Sequence, residues 1–136
     1  MSKKFIGKSM KTGDWIVSDN QIYDEKNKSY YLIPNLFDVG ELDFGNRKSL
    51  YKFKVEPNSI GVEVGQDYVG NTLFTGDKVE IFFYFIDATN QGKFKDTATV
   101  VYDEEKMIYY MRSKNRAFLF AGDSKHLISS IARIGR

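Results

Sequence analysis

The chain has 136 residues, 42% of them hydrophobic and 28% charged, and carries a net charge of +2. That length suits one domain of about 100–150 residues rather than two separate cores, and the apolar content argues against global disorder. The absence of cysteine excludes disulfides, a thiolate nucleophile and Cys-ligated zinc, and it favours a reducing compartment.

Eleven Phe, nine Tyr and Trp15 bring the aromatic share to 15%, while alanine is scarce, a balance that favours pleated surfaces over helices. There is no apolar run of roughly 18 residues, so no membrane span is expected. Lys8 and Lys11 interrupt the N-terminal MSKKFIGKSM, so no signal peptide is read there. The expectation is a soluble, cytoplasmic protein.

In chain order, Asp14–Ser18 and Gln21–Tyr23 read as short strands, and Asp24–Lys28 as a hairpin loop leading into a strand at Ser29–Ile33. Pro34 and Asn35 end that strand, because proline cannot donate to a ladder. Leu36–Leu50 has no period and reads as a long loop with one helical turn at most. Tyr51–Val55 alternates Tyr51, Phe53 and Val55 with Lys52 and Lys54, the pattern of a half-buried strand. Ile60, Val62 and Val64 repeat it, and the turn Gly65–Asn71 leads to Leu73–Phe74. Thr75–Asp77 then breaks the chain before a strand at Val79–Ile86, whose run from Ile81 to Ile86 is apolar on both faces and implies cover on both sides, either by this domain or by a partner.

After a turn at Gln91–Gly92, strands are expected at Thr97–Tyr102, Met107–Met111 and Ala117–Phe120, with turns at Asp103–Lys106 and Ser113–Arg116. The end reads two ways. Asp123 is placed to cap a short helix over Lys125–Ser130, or Ile128–Ile134 forms a last strand; the favoured reading is one helical turn and then a short strand. No internal repeat, heptad or low-complexity tract is read. The expected fold is all-β: a small SH3-like or pseudo-barrel of short, mostly antiparallel strands with at most one or two helical turns, spanning 1–136 as a single domain.

Val55–Gly61 (VEPNSIG) resembles the V-D-P-E-T-V-G segment of the YopX family of phage and prophage proteins. Gly65–Asn71 is similar to that family's G-L-K-D-x-N-G turn, and Leu73–Val79 (LFTGDKV) resembles its I-F/Y-E-G-D-I-V strand start. Fainter similarities run through Gly13–Val17, Thr99–Asp103 and Ile131–Gly135, while Val62–Gly65 replaces the family's Q-Y-T-G. The resemblance implies a small β-rich barrel of phage or prophage origin and no activity. Independently of it, Gly76 permits a positive φ in the turn, and Asp77 can bond nearby backbone N–H groups, a structural role.

Chemistry is thinly represented. His126 is the sole histidine, with Ser124, Ser129 and Ser130 nearby, but no serine sits in a nucleophile-elbow pattern. The acid pairs Asp24–Glu25 and Asp103–Glu104–Glu105 flank hairpin turns rather than face each other across a cleft. Asp38, Glu41 and Asp43 are the nearest approach to a calcium loop, without EF-hand spacing. Gly61, Gly65 and Gly70 form no phosphate-binding motif. No enzyme activity, cofactor, metal or small-molecule substrate is expected.

Binding is the reading left. The pairs Tyr30–Tyr31 and Tyr109–Tyr110 each send one ring outward in a strand, and Phe82–Phe85 adds aromatic surface of the kind that marks interfaces. The alternative is that these rings simply cover a wide, short barrel. From Arg112 to Arg136, six basic residues (Arg112, Lys114, Arg116, Lys125, Arg133, Arg136) face Asp123 alone, which reads as a solvated face or as a nucleic-acid surface. The candidate interaction surface is Tyr31, Tyr84, Tyr110, Arg112, Lys114 and Arg116, for a protein partner or a homo-oligomer, with nucleic acid as the alternative.

Overall fold

The computed structural model describes residues 3–34, 51–86 and 92–136. The expected loop at Leu36–Leu50, with Asp38, Glu41 and Asp43, lies outside them, as does Gln91. The described residues hold twelve strands, two single-turn 3-10 helices and no α-helix, so the all-β class expected from the sequence is the one adopted. The chain divides into two compact units, Met1–Glu63 and Val64–Arg136.

In the first unit β1 (Phe5–Lys8) pairs antiparallel with β2 (Trp15–Ser18) and with Gly61–Val62 at the start of β6 (Gly61–Gln66). Sequence reading missed β1 because it lacks alternation: both Ile6 and Gly7 are buried. Gly7 is the reason. A Cβ built there would stand 3.0 Å from Leu32 Cδ1 and 3.1 Å from the stiff Val55 Cβ, so only glycine lets the strand press this close. Gly7→Ala is therefore expected to destabilise the protein by about 1–3 kcal/mol through overpacking, read as a lower urea midpoint. Ser9, also buried, donates through Oγ to the Lys52 carbonyl and accepts the Lys11 and Thr12 N–H groups, which closes the β1–β2 turn.

β3 (Asn20–Asp24) and β4 (Ser29–Ile33) form the expected hairpin, and β5 (Lys54–Val55) adds to β4. Ser18 Oγ donates to the Ile33 carbonyl. Tyr31, Ile33 and Phe53 form the buried cluster of this unit, with Ile16 and Ile22 packed on it. Tyr51–Val55 is not one strand: Tyr51–Phe53 is a 3-10 turn that leaves Tyr51 exposed and buries Phe53. Two apolar residues two apart fit a 3-10 turn as well as a strand, so alternation over so few residues does not separate them.

In the second unit, β7 (Thr72–Phe74) returns alongside β6 after the turn at Asp67–Gly70. A five-stranded antiparallel sheet follows in the order β11 (Ala117–Phe118), β10 (Ile108–Arg112), β9 (Phe94–Asp103), β8 (Lys78–Phe85), β12 (His126–Gly135). Its inner face carries Val79, Ile81, Phe83, Ala98, Val100, Met111, Phe118 and Ile131, all buried. Of the two forms of cover expected for Ile81–Ile86, this domain supplies it on one side only. Phe82 is only half-buried, while Tyr84 and Ile86 are exposed, because just one face of the sheet meets a core.

The helical turn expected after Asp123 is also absent; the segment from His126 onward is a ten-residue strand. Asp123 does accept the Lys125 and His126 N–H groups at 2.8 Å, so its capping chemistry is used, but in a turn that starts a strand. Ladder pairing to β8 supplies long-range hydrogen bonds that an isolated helical turn cannot match. Two irregularities in β12, at Ile128/Ser130 and Arg133/Gly135, bend this edge.

The structure also exposes a repeat that sequence reading overlooked. Tyr23-Asp24-Glu25 and Tyr102-Asp103-Glu104 each stand five residues before a tyrosine pair, Tyr30–Tyr31 and Tyr109–Tyr110. Both segments build the same hairpin. Asp24 and Asp103 accept backbone N–H groups across the turn, and Lys28 and Met107 close it at positive φ (52° and 56°). The cross-strand rings Tyr23–Tyr30 and Tyr102–Tyr109 then meet at 4.8 and 4.9 Å between centroids. One such hairpin lies in each unit.

Candidate functional site

The acid pairs at Asp24 and Asp103 are accounted for by those turns. Asp77 is fully buried and holds the second unit together: Oδ2 accepts the Phe74 N–H at 2.8 Å, and the Arg136 guanidinium meets Oδ1 at 3.0 Å. Arg133 Nε lies 3.2 Å from Oδ2, an ion pair whose angle is not that of a hydrogen bond. The structural role expected of Asp77 therefore extends to two residues of the basic C-terminal segment. Arg136 is spent on an internal carboxylate and does not add to a solvated face, and Arg133 is drawn toward the same carboxylate while staying partly exposed.

Asp67 plays a parallel role beside the edge strand. It is buried, and its carboxylate takes the N–H groups of Val69 and Asn71, the Asn71 amide and, at 2.9 Å, the Arg133 N–H of β12. With the Tyr68 N–H donating to the Ile131 carbonyl, the turn covers part of an otherwise open sheet edge. Burial alone would raise the Asp67 pKa, but the hydrogen bonds from Arg133, Asn71 and Val69 outweigh it and hold the group below its ordinary 3.8. Asp123 is likewise lowered: burial opposes ionisation, and the bonds from His126 and the Lys125 N–H prevail.

The sign of the pH effect follows. Both carboxylates have depressed folded-state pKa values, so their stabilisation is present above 3.8 and is lost as pH falls below it through the folded values. Urea midpoints are expected to hold at mildly acid pH and drop below about pH 4. Asp67→Asn should flatten that drop while lowering the midpoint at neutral pH.

Of the sequence-derived surface residues, Tyr31 is not on a surface; it is buried in the first unit's core, and Tyr30 is the more exposed ring of the pair. Parity explains it: β4 sends Tyr31 and Ile33 to the same side. The other five residues lie in the second unit. Tyr84, Tyr110 and Arg112 share the outer face of the five-stranded sheet, with Arg112 5.5 Å from the Tyr110 ring centroid. Lys114 is exposed in the Ser113–Arg116 turn. Arg116 departs from this face. Its guanidinium lies 5.6 Å from the Phe83 ring centroid and 5.3 Å from Phe85, both inner-face residues, and it pairs with Asp96 at 3.6 Å.

Phe82, expected from the sequence as part of the Phe82–Phe85 aromatic run, lies on this outer face, whereas its other members, Ile108, Leu119 and Leu127, were not singled out from the sequence. Leu127 is 60% exposed and directly opposite Tyr84 on β12. Lys93 Nζ sits 5.2 Å from the Phe82 ring centroid, and Lys95 is the cross-strand partner of Phe82. Farther along, Asp103, Lys106, Ile108, Tyr110, Arg112 and Leu119 line a shallow cleft of about 190 Å³. The face thus combines apolar groups with a surplus of cations.

His126 is buried and its Nδ1 meets Asp123 Oδ2 at 3.1 Å, while its ring packs on Phe83, Phe85 and Phe118. Ser124 lines a cleft with it, but no serine hydroxyl is hydrogen-bonded to the ring, so this pair is an oriented histidine without a nucleophile among the described residues. No three His, Asp or Glu side chains among the described residues gather as metal ligands. None of the helices there is long and apolar enough to cross a membrane. Compared with family models, with curated proteins and with solved structures, the chain matches none.

Proposed function

We propose that this is a phage or prophage accessory protein, related to the YopX family, that works in the host bacterial cytoplasm by non-covalent binding to a protein, without catalysis. The origin rests on the VEPNSIG and LFTGDKV segments. The mode of action rests on one observation: an outer sheet face with exposed apolar residues at both ends, Tyr84 and Leu127 at one and Ile108 and Leu119 at the other, and with Lys95 and Arg112 between them. Exposed aromatic and aliphatic groups interspersed with charge suit a protein interface, the apolar groups supplying affinity and the charges orientation.

The sign of these charges selects the partner. Lys78, Lys93, Lys95, Arg112 and Lys114 outnumber Glu80 and Asp103 there, so two copies meeting through this face would set like charges together. A different protein with apolar groups flanking an acidic stretch fits better, such as a host factor that the association blocks. Nucleic acid is the weaker reading, because Arg133 and Arg136 of the basic C-terminal segment are drawn into Asp77.

The test compares capture from host lysate by the native protein and by the double variant Tyr84→Ser/Leu127→Ser. A specific partner that the variant loses by at least about a hundredfold in affinity is expected, the loss typical of two anchoring interface residues. Partners retained equally by the variant would refute the reading. Light scattering across a dilution series is expected to report a monomer. Submicromolar nucleic-acid binding that weakens steeply with salt would favour the alternative.

A further inference from the structure

A second feature of the Val64–Arg136 unit is independent of the outer face. Phe85, Asn115, Arg116, Ala117, Asp123, Ser124, Lys125 and His126 surround a cleft of about 470 Å³. Its acidic member is already saturated: Asp123 Oδ1 accepts two backbone N–H groups and Oδ2 holds His126 Nδ1. The donors are not. Lys125 makes no ion pair among the described residues, and Arg116 has only the long, partly exposed pair to Asp96. With Nδ1 committed to Asp123, Nε2 is the ring nitrogen of His126 left for a ligand.

We propose that this cleft binds a phosphate group carried on a larger molecule. Arg116, Lys125, His126, Ser124 and Asn115 line one cavity, a donor set larger than the two oxygens of a carboxylate would use. A tetrahedral phosphate matches that number and takes charge-assisted bonds from Arg116 and Lys125. The packing of His126 against Phe83, Phe85 and Phe118 fixes its ring before any ligand arrives, so little ordering is required on binding. The volume exceeds that of bare phosphate, and the Phe85 ring in the wall suits an organic remainder.

The experiment follows backbone amides by NMR while the full chain is titrated with inorganic phosphate, chloride holding ionic strength constant. Saturable shifts confined to residues 115–117 and 123–126 are expected. Lys125→Gln, at an exposed position, should raise the half-saturation concentration by about tenfold, as the loss of one charge-assisted contact implies; Arg116→Gln should do the same. Shifts that grow linearly, that spread over lysines elsewhere, or that persist unchanged in Lys125→Gln would overturn the proposal. Competition with O-phosphoserine and with adenosine monophosphate distinguishes a phosphorylated side chain from a nucleotide as the source. Failure of both to displace inorganic phosphate would also overturn it. Because Tyr84 and Leu127 do not line this cleft, the interface test and this one fail separately.

Discussion

Asp77→Ala is expected to destabilise the protein by about 3–5 kcal/mol, the range for removing one partner of a buried ion pair. Asp77 is completely buried, and the Arg136 side chain is only 8% exposed, so its guanidinium would lose its counter-charge without gaining water. Arg133, one-third exposed, can turn outward and loses less. The carboxylate also takes the Phe74 N–H, and removing it leaves a buried donor unsatisfied. Asp77→Asn separates the two effects: it retains an acceptor for that N–H and removes only the charge. Urea unfolding at neutral pH should rank native above Asn above Ala. An Ala variant within about 0.5 kcal/mol of native, the spread of inert surface changes, would mean that the two arginines draw nothing from the carboxylate.

Phe83→Ala should have an effect of similar size, about 3–5 kcal/mol, from lost burial and an unfilled cavity. Phe83 is 1% exposed and its ring centroid lies 4.9 Å from Phe118, 5.3 Å from Phe85 and 5.4 Å from His126. Three rings therefore lose a common neighbour, and the cavity cannot collapse without moving β8 relative to β12. Phe83→Leu keeps most of the volume and should recover more than half of the loss. The same series reads out the His126 cleft, since Phe83 supports the imidazole: Phe83→Ala should weaken phosphate binding as well as stability, whereas Lys125→Gln should weaken binding alone.

Much of this architecture is written in short-range patterns. Ser29–Ile33 is recovered to the residue, and the turns at Asp103 and Ser113 fall where Asp, Asn and Ser cluster. The repeated Tyr-Asp-Glu hairpin was equally readable, since the matched tyrosines stand seven positions apart in both segments, but only the cross-strand ring pairs reveal it. Other features depend on contacts no local window contains. β1 is a strand because Leu32 and Val55 accept Gly7 against them, and β12 is a strand because β8 offers it a ladder.

The charge balance of the C-terminal segment, the alternation of the strands and the lack of thiol chemistry follow from residue order alone, because each is a property of composition or of a two-residue period. Which of those charges reach solvent was decided by the tertiary structure. Arg133 and Arg136 lie 56 and 59 positions from the carboxylate they serve, and Arg116 folds back over Phe83 and Phe85. A guanidinium next to a buried carboxylate and one in water look identical in sequence; only long-range packing, which sets the local dielectric and the partner, tells them apart.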